Sequence, residues 1–364
     1  MDKIKAFLAR KGVVCSFKQY GVDALGAMAQ GLFCTLLVGT ILNTLGQQLH
    51  IGFLTAPVVS VGTVSYTVGG LASAMVGPGI AVAIGSALRC PPLVLFSLIP
   101  VGFAANAMGG AGGPLAVYAV TIVAAELGKL VSKETRVDIL VTPCVTVLCG
   151  IAVAQLIAAP IGSAARAVGL AIMWATELQP FFMGVLVSAL IGIALTLPIS
   201  SAAICAAFGL TGLAGGAAVA GCCAQMVGFA VMSFRENGWG GLVAQGVGTS
   251  MLQMPNILKN PRIWIPPTLA SMITGPLATC VFKLQMNGSP VSSGMGTCGF
   301  VGQIGVYTGW VSDVAGGAKA AITAMDWLGL ALVCFILPAV LSVAFTAVLR
   351  RWGWIGEDDL KLEL

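Results

Sequence analysis

Charge is what this sequence has least of. Asp, Glu, Lys and Arg together make up 9% of its 364 residues while 58% are apolar, against about 25% and about 45–50% in soluble domains. From Ile51 to Leu88 no residue is charged. That scarcity excludes a water-soluble globular chain and makes hydrocarbon the solvent of the fold. Room for a soluble enzymatic domain is missing too, since about 20 apolar residues go into each crossing and the connections are short. His50 is the one histidine, set among Gln47, Gln48 and Leu49, where it reads as a loop residue on the non-cytoplasmic side, with pH sensing as the alternative.

The formal net charge of +5 would suggest nucleic acid in a soluble domain. Here the cations flank apolar segments instead of forming one patch with interleaved aromatics, so they set membrane topology and imply no nucleic-acid partner. Met1–Tyr20 carries Lys3, Lys5, Arg10, Lys11 and Lys18 without a short apolar core and small-residue cleavage site. Residues 1–19 are therefore expected to be a retained, basic, cytoplasmic segment and not a removed signal peptide. The cysteines number eleven, and Cys34, Cys149, Cys205, Cys280 and Cys334 lie inside apolar runs. They read as small membrane-embedded residues, and adjacent Cys222 and Cys223 have no metal-binding spacing. No cofactor or metal is expected.

What is present is a succession of apolar segments. They predict an all-α polytopic membrane protein with about ten transmembrane helices plus re-entrant hairpins in one domain, 20–349, followed by a cytoplasmic tail, 350–364. Ile51–Gly69, Ser201–Gly216, Trp239–Ile257 and Ser289–Val311 are among the candidate spanning or buried segments. The basic islands Lys129–Asp138 and Lys259–Arg262 should face the cytoplasm with both termini. Five candidates precede the first island and five separate the two, odd numbers that would place the islands on the wrong side. Half-crossings repair both counts, and backbone broken at membrane depth is tolerated only where protein buries it or where it lines a wet cavity. A weak repeat, from Gly112-Gly113 to Pro143 and again from Gly240-Gly241 to Pro267, suggests two related halves, about 20–161 and 178–311, although Gly- and Pro-rich segments also resemble one another by composition alone.

A polar solute must exchange water for protein hydrogen bonds, and uncharged amides and hydroxyls do this at less desolvation cost than bare charges. Asn287, Ser289, Ser292, Ser293, Thr297 and Gln303 supply such groups, with Gly288, Gly294, Gly296 and Gly299 allowing close backbone approach. The competing reading is a close-packed helix interface of small residues. Asn106 heads a glycine run that must turn, as a hairpin tip or a substrate contact; no Lys-Ser/Thr follows, which argues against a nucleotide loop. Among the acids, Glu177 and Glu236 are candidates for binding sugar hydroxyls, whereas Asp23 and Glu126 suit an interface. Gln225, also a candidate contact, joins Gln245, Gln253 and Asn256 as amides in apolar segments, which elsewhere serve as interhelical hydrogen bonds. Trp264 and Trp310 suit segment ends, and an indole can also stack on a sugar face.

Three stretches carry a resemblance: Asn106–Pro114 (NAMGGAGGP), Arg262–Pro267 (RIWIPP) and Asn287–Phe300 (NGSPVSSGMGTCGF). They resemble the perfringolysin-O-regulator-like family of membrane proteins, grouped with the IIC permease subunits of the bacterial sugar phosphotransferase system, over roughly Val22 to Leu349. The resemblance implies a multi-pass inner-membrane protein whose partners are a second copy of the chain, membrane lipid and separate IIA and IIB phosphocarriers. A fused IIA would need a phosphorylatable His and a fused IIB a reactive soluble Cys, so the phosphoryl donor is expected on another chain, and this chain is no enzyme by itself. The Gly-Ile-Thr-Glu-type loop of better-known sugar permeases has no counterpart here. The expectation is thus a permease that moves a carbohydrate or related polar solute by alternating access, its site between Asn287–Gln303 and the turn near Asn106. A membrane-embedded ligand sensor that regulates gene expression without transport is the alternative.

Overall fold

Backbone that leaves water must bond itself, and the apolar runs do so as helices. The computed structural model describes residues 7–8, 10–13 and 16–362, in two units, Met1–Ala165 and Arg166–Leu364. Lys3 and Lys5 of the basic segment lie outside the described residues.

In the first unit, α1 (Lys18–Gln47) is long and apolar enough to cross a membrane. The chain then forms an antiparallel hairpin, β1 (Val59–Val61) and β2 (Val64–Tyr66), pairing Val59 with Tyr66 and Val61 with Val64. Ile51–Gly69 is therefore neither a span nor a buried segment: Phe53, Val58, Val61 and Val64 are all exposed. Its β-branched residues alternate with serine about a Gly-Thr turn, a pattern of period two that a helix cannot use. Next, α2 (Val68–Ala74) and α3 (Val76–Ala87) meet at a bend of 54°, the geometry of a broken span or a re-entrant loop.

Helices α4 (Pro92–Gly109) and α5 (Gly113–Val131) would make one apolar helix of 40 residues but for Gly110, whose φ of 52° and ψ of −123° fold the chain back. Pro92 and Pro114 occupy first turns, where the missing N–H leaves no helical bond unmade. The fold-back brings Asn106 against Gly113: a Cβ on Gly113 would lie 2.5 Å from Asn106 Oδ1 and 2.9 Å from its carbonyl oxygen. Seven residues along a straight helix are separated by about 10 Å. Near the end of α5, Lys129 is 2% exposed, and its ammonium donates to Glu126 Oε1 at 2.8 Å, Gly12 O at 3.1 Å and Leu88 O at 3.4 Å. All three donors are satisfied, which is how a cation tolerates that burial. The boundary between the units falls within α6 (Asp138–Thr176), 39 residues long.

In the second unit, α7 (Pro180–Thr196), the short α8 (Ser201–Ala207) and α9 (Gly212–Met232) are followed by a broken stretch, 234–264, and then by α10 (Ile265–Pro276), α11 (Val301–Ala315) and α12 (Ala324–Arg351). Helix α9 forms the axis: 89% of its apolar window is buried. It can sit there because its neighbour-facing positions are small. A Cβ on Gly221 would lie 1.9 Å from Ser188 O of α7, and one on Gly228 2.5 Å from Ser342 Oγ of α12, the close approach that small residues permit between membrane helices.

Three expected segments resolve into broken structure here, and Ser289–Val311 is one: a four-residue helix, Pro290–Ser293, and a 3-10 turn, Cys298–Phe300, precede α11. Ser201–Gly216 is only the seven-residue α8, a turn, and the start of α9. Trp239–Ile257 is cut by a π-turn at Ala244–Gly248 and a 3-10 turn at Ser250–Gln253, after Gly238 has already kinked the chain at φ 57°, ψ −155°. Among the described residues five helices can cross a membrane by length and composition, six with the bent pair α2–α3; one of the five is the folded-back α4–α5, and Pro180–Thr196 is a shorter apolar helix. The architecture is that of an all-α polytopic membrane protein.

Candidate functional site

Gln225 stands at the centre of the polar interior of the second unit. It is fully buried on α9, and its amide joins four segments. Its Nε2 donates to Thr268 Oγ1 at 3.1 Å, while its Oε1 accepts from the Trp264 indole N–H at 3.1 Å and from Thr196 Oγ1 at 3.3 Å. Thr196 and Ser250 hydroxyls lie 2.8 Å apart, extending the network to the 3-10 turn. Thr196, Gln225 and Ser250 are buried, whereas Trp264 and Thr268 are partly exposed. An uncharged constellation of amide, hydroxyls and indole thus runs from the surface of the unit to its axis. Sequence reasoning singled out Gln225 and Trp264 but not Thr196, Ser250 or Thr268, because a hydroxyl in an apolar run ordinarily bonds the carbonyl one turn back and gives no distinctive signal.

On another side of α9 lies the stretch from Asn287 to Gln303. Ser293 Oγ donates to Leu210 O at 2.6 Å, and Ser201 Oγ donates to Gly294 O at 2.7 Å. Ser292 packs on Gly305, Thr297 Oγ1 lies 3.6 Å from Met226 Sδ, and Gln303 Nε2 lies 3.1 Å from Cys223 Sγ. Ser292, Ser293, Thr297 and Gln303 are all buried. In this conformation the serines and glycines form a packed seam, with hydroxyls given to main-chain carbonyls. Gln303 Oε1 is the exception, a buried acceptor with no hydrogen-bond partner among the described residues. Ser289 is exposed at the start of a short helix, and Asn287 donates to Asp313 Oδ2 at 2.7 Å.

Asn106 belongs to the first unit and braces the α4–α5 turn. Glu177 is exposed in the turn before Pro180. Glu236 is paired through Oε1 with the Arg350 guanidinium of α12, and its Oε2 is buried without a hydrogen-bond partner among the described residues. Gln245, Gln253 and Asn256 are buried and hydrogen-bonded as a chain: Asn256 Nδ2 donates to Gln253 Oε1 at 2.9 Å, and Gln253 Nε2 donates to Gln245 Oε1 at 2.9 Å. Gln245 gives its own amide hydrogens to Ser233 Oγ and Gly241 O, whereas Gln253 and Asn256 also donate to the C-terminal tail, a connection the sequence did not announce.

No curated protein and no solved structure matches the chain. A family model described as "Phosphotransferase system, EIIC" matches residues 22–362, a range that takes in both units and the polar constellation around Gln225. The chain belongs to the EIIC family, the membrane permease component of the sugar phosphotransferase system.

Proposed function

We propose that this permease moves a carbohydrate or related hydroxylated solute by alternating access, with Gln225 as the anchor of the binding site. One observation carries the choice of Gln225: a buried amide that both donates and accepts, reached through a partly exposed indole and hydroxyl, with no charge among its partners. A sugar hydroxyl both donates and accepts as well, so it can replace Thr196, Thr268 or Trp264 at this amide without leaving a charge unsolvated. The indole of Trp264 adds an apolar face for a pyranose ring. Gln303 Oε1 and Glu236 Oε2, acceptors lacking donors, are further points at which a solute or water would be held.

The phosphoryl group comes from separate IIA and IIB chains, and the permease works in the inner membrane as a homodimer with both termini in the cytoplasm. The narrower likeness to perfringolysin-O-regulator-like proteins rests on the three stretches quoted above. The test is uptake of a panel of labelled sugars into proteoliposomes, with and without phosphotransferase components, comparing the parent with Gln225→Ala. Uptake of one sugar class, lost on substitution, supports the proposal. Tight sugar binding with no uptake of any sugar overturns transport in favour of a sensor.

A further inference from the structure

The C-terminal tail is bound as a peptide ligand would be. Asn237 brackets it, its Nδ2 donating to Leu360 O at 2.8 Å and its Oδ1 accepting from Leu362 N–H at 2.8 Å. Gln253 Nε2 donates to the same Leu360 O at 2.9 Å, and Asn256 Nδ2 donates to Lys361 O at 2.8 Å. Asn260 Nδ2 reaches Trp354 O at 2.9 Å and Asp359 Oδ2 at 2.7 Å. Nearly all these bonds go to main-chain atoms, and Gln253 and Asn256 spend one amide hydrogen on the tail and the other on the amide chain behind it. Two apolar side chains anchor the segment: Leu360 is 0% and Ile355 3% exposed. Arg262 covers the Trp354 ring at 5.2 Å. Between the anchors, Glu357 and Asp358 face outward. Main-chain hydrogen bonds for affinity and spaced side-chain anchors for register are how a bound peptide is held, here by a tail whose residues 357–360 fold into a turn.

The surface that reads the tail is the broken stretch itself. The 3-10 turn Ser250–Gln253 bonds Thr196 of the polar interior through its first residue and the tail through its last. In the 3-10 turn Pro261–Trp264, Arg262 covers the tail while Trp264 bonds Gln225. Such short turns have no long helical ladder of their own to hold them, so their order depends on what they bond at either end.

We infer that the amide row Asn237, Gln253, Asn256 and Asn260 is a peptide-docking site filled in cis by residues 354–362, and that undocking of this tail frees the stretch 234–264. The site is independent of which solute the permease carries, and so is its test. A fluorescent peptide of residues 352–364 (WGWIGEDDLKLEL) is titrated in detergent against the full-length parent and against full-length Leu360→Asp, whose own tail no longer fits the apolar anchor position. The parent's tail competes at the high effective concentration of a tethered ligand, so the variant should bind the peptide at least about tenfold tighter. Adding Gln253→Ala and Asn256→Ala to the variant should abolish binding. A peptide carrying Leu360→Asp should not bind, whereas one carrying Asp358→Asn should bind like the parent peptide.

Hydrogen exchange supplies the second readout: amides of 240–263 should exchange at least about tenfold faster in Leu360→Asp than in the parent, with exchange in α9 unchanged. Should Leu360→Asp fail to give a monodisperse helical protein, Leu360→Ala carries the same comparisons. Failure of the variant to bind the peptide, or unchanged exchange over 240–263, overturns the inference.

Discussion

The indole nitrogen of Trp264 and the amide oxygen of Gln225 lie 3.1 Å apart, joining a 3-10 turn beside the C-terminal tail to the buried axis of the second unit. Removing only the donor, by Trp264→Phe, keeps an aromatic ring but takes one of the two donors from Gln225 Oε1. The expected stability loss is about 1 kcal/mol, read as a lower midpoint in detergent melts. Gln225→Leu orphans the Trp264 N–H and takes away the donor to Thr268 Oγ1, whose hydroxyl keeps its bond to Trp264 O, and should cost about 1–3 kcal/mol.

Glu236 and Arg350 tie the first turn after α9 to the end of α12, with side chains 7% and 23% exposed. Because the pair is not fully buried, its loss is discounted for solvent: Arg350→Ala and Glu236→Gln should each destabilise the protein by about 1–3 kcal/mol. A double-mutant cycle should then show the double variant losing less than the sum of the two, since both remove one interaction.

Lys129 in the first unit is the more severe case. Lys129→Met takes from the Glu126 carboxylate, whose Oε2 has no hydrogen-bond partner among the described residues, its ion-pair partner. A loss of about 3–5 kcal/mol is expected from breaking so buried a pair, and Glu126→Gln in the same chain should recover part of it. Thermal melts of the two variants and the parent decide the point; equal melting of Lys129→Met and the parent would show that the buried cation contributes nothing.

Gly221 tests the packing of α9. With a Cβ placed 1.9 Å from Ser188 O, Gly221→Ala must push α7 away from α9, at a cost of about 1–3 kcal/mol. Gly240, with open space around it, should accept Ala with little change.

Acid should loosen the clip between the N-terminal segment and the α5–α6 connection. Glu134 bonds Arg10 at 2.8 Å and pairs with Lys11, and the hydrogen bond from Lys11, aided by the charges of Arg10 and Lys11, holds its carboxyl below the ordinary 4.5. A carboxyl lowered in the folded state contributes its stabilisation above the ordinary value and loses it as pH falls through the folded value. Protection of Arg10 and Lys11 from a soluble modifying reagent should therefore hold at pH 5 to 7, fall only below about pH 4.5, and be lost at neutral pH in Glu134→Gln.

Charge scarcity was enough to read the membrane-helical class from the sequence, because the bilayer leaves backbone so few choices. The parity of the basic islands raised the expectation that some segments do not cross, and Ser201–Gly216 breaks into a short helix and a turn. The hairpin at Val59–Tyr66 was not: its lack of charge matches a span, and only the alternation of valine and serine distinguishes it. Gln225 was recognisable as an amide in an apolar run, but its partners Thr196, Ser250 and Thr268 come from distant segments, and spacing along the chain does not encode that convergence. Ser293 showed the opposite limit, since a small polar residue that could face a solute is here bonded to the Leu210 carbonyl of its own fold.

The measurement that bears most directly on the Gln225 site is the initial rate of sugar uptake into proteoliposomes across a concentration series, for the parent, Gln225→Ala, Thr268→Ala and Ser292→Ala/Ser293→Ala. A site anchored on Gln225 gives a KM raised at least about tenfold for Gln225→Ala, a smaller rise for Thr268→Ala and little change for the serine pair. An unchanged KM in a folded Gln225→Ala permease, or a large change confined to the serine pair, would contradict it.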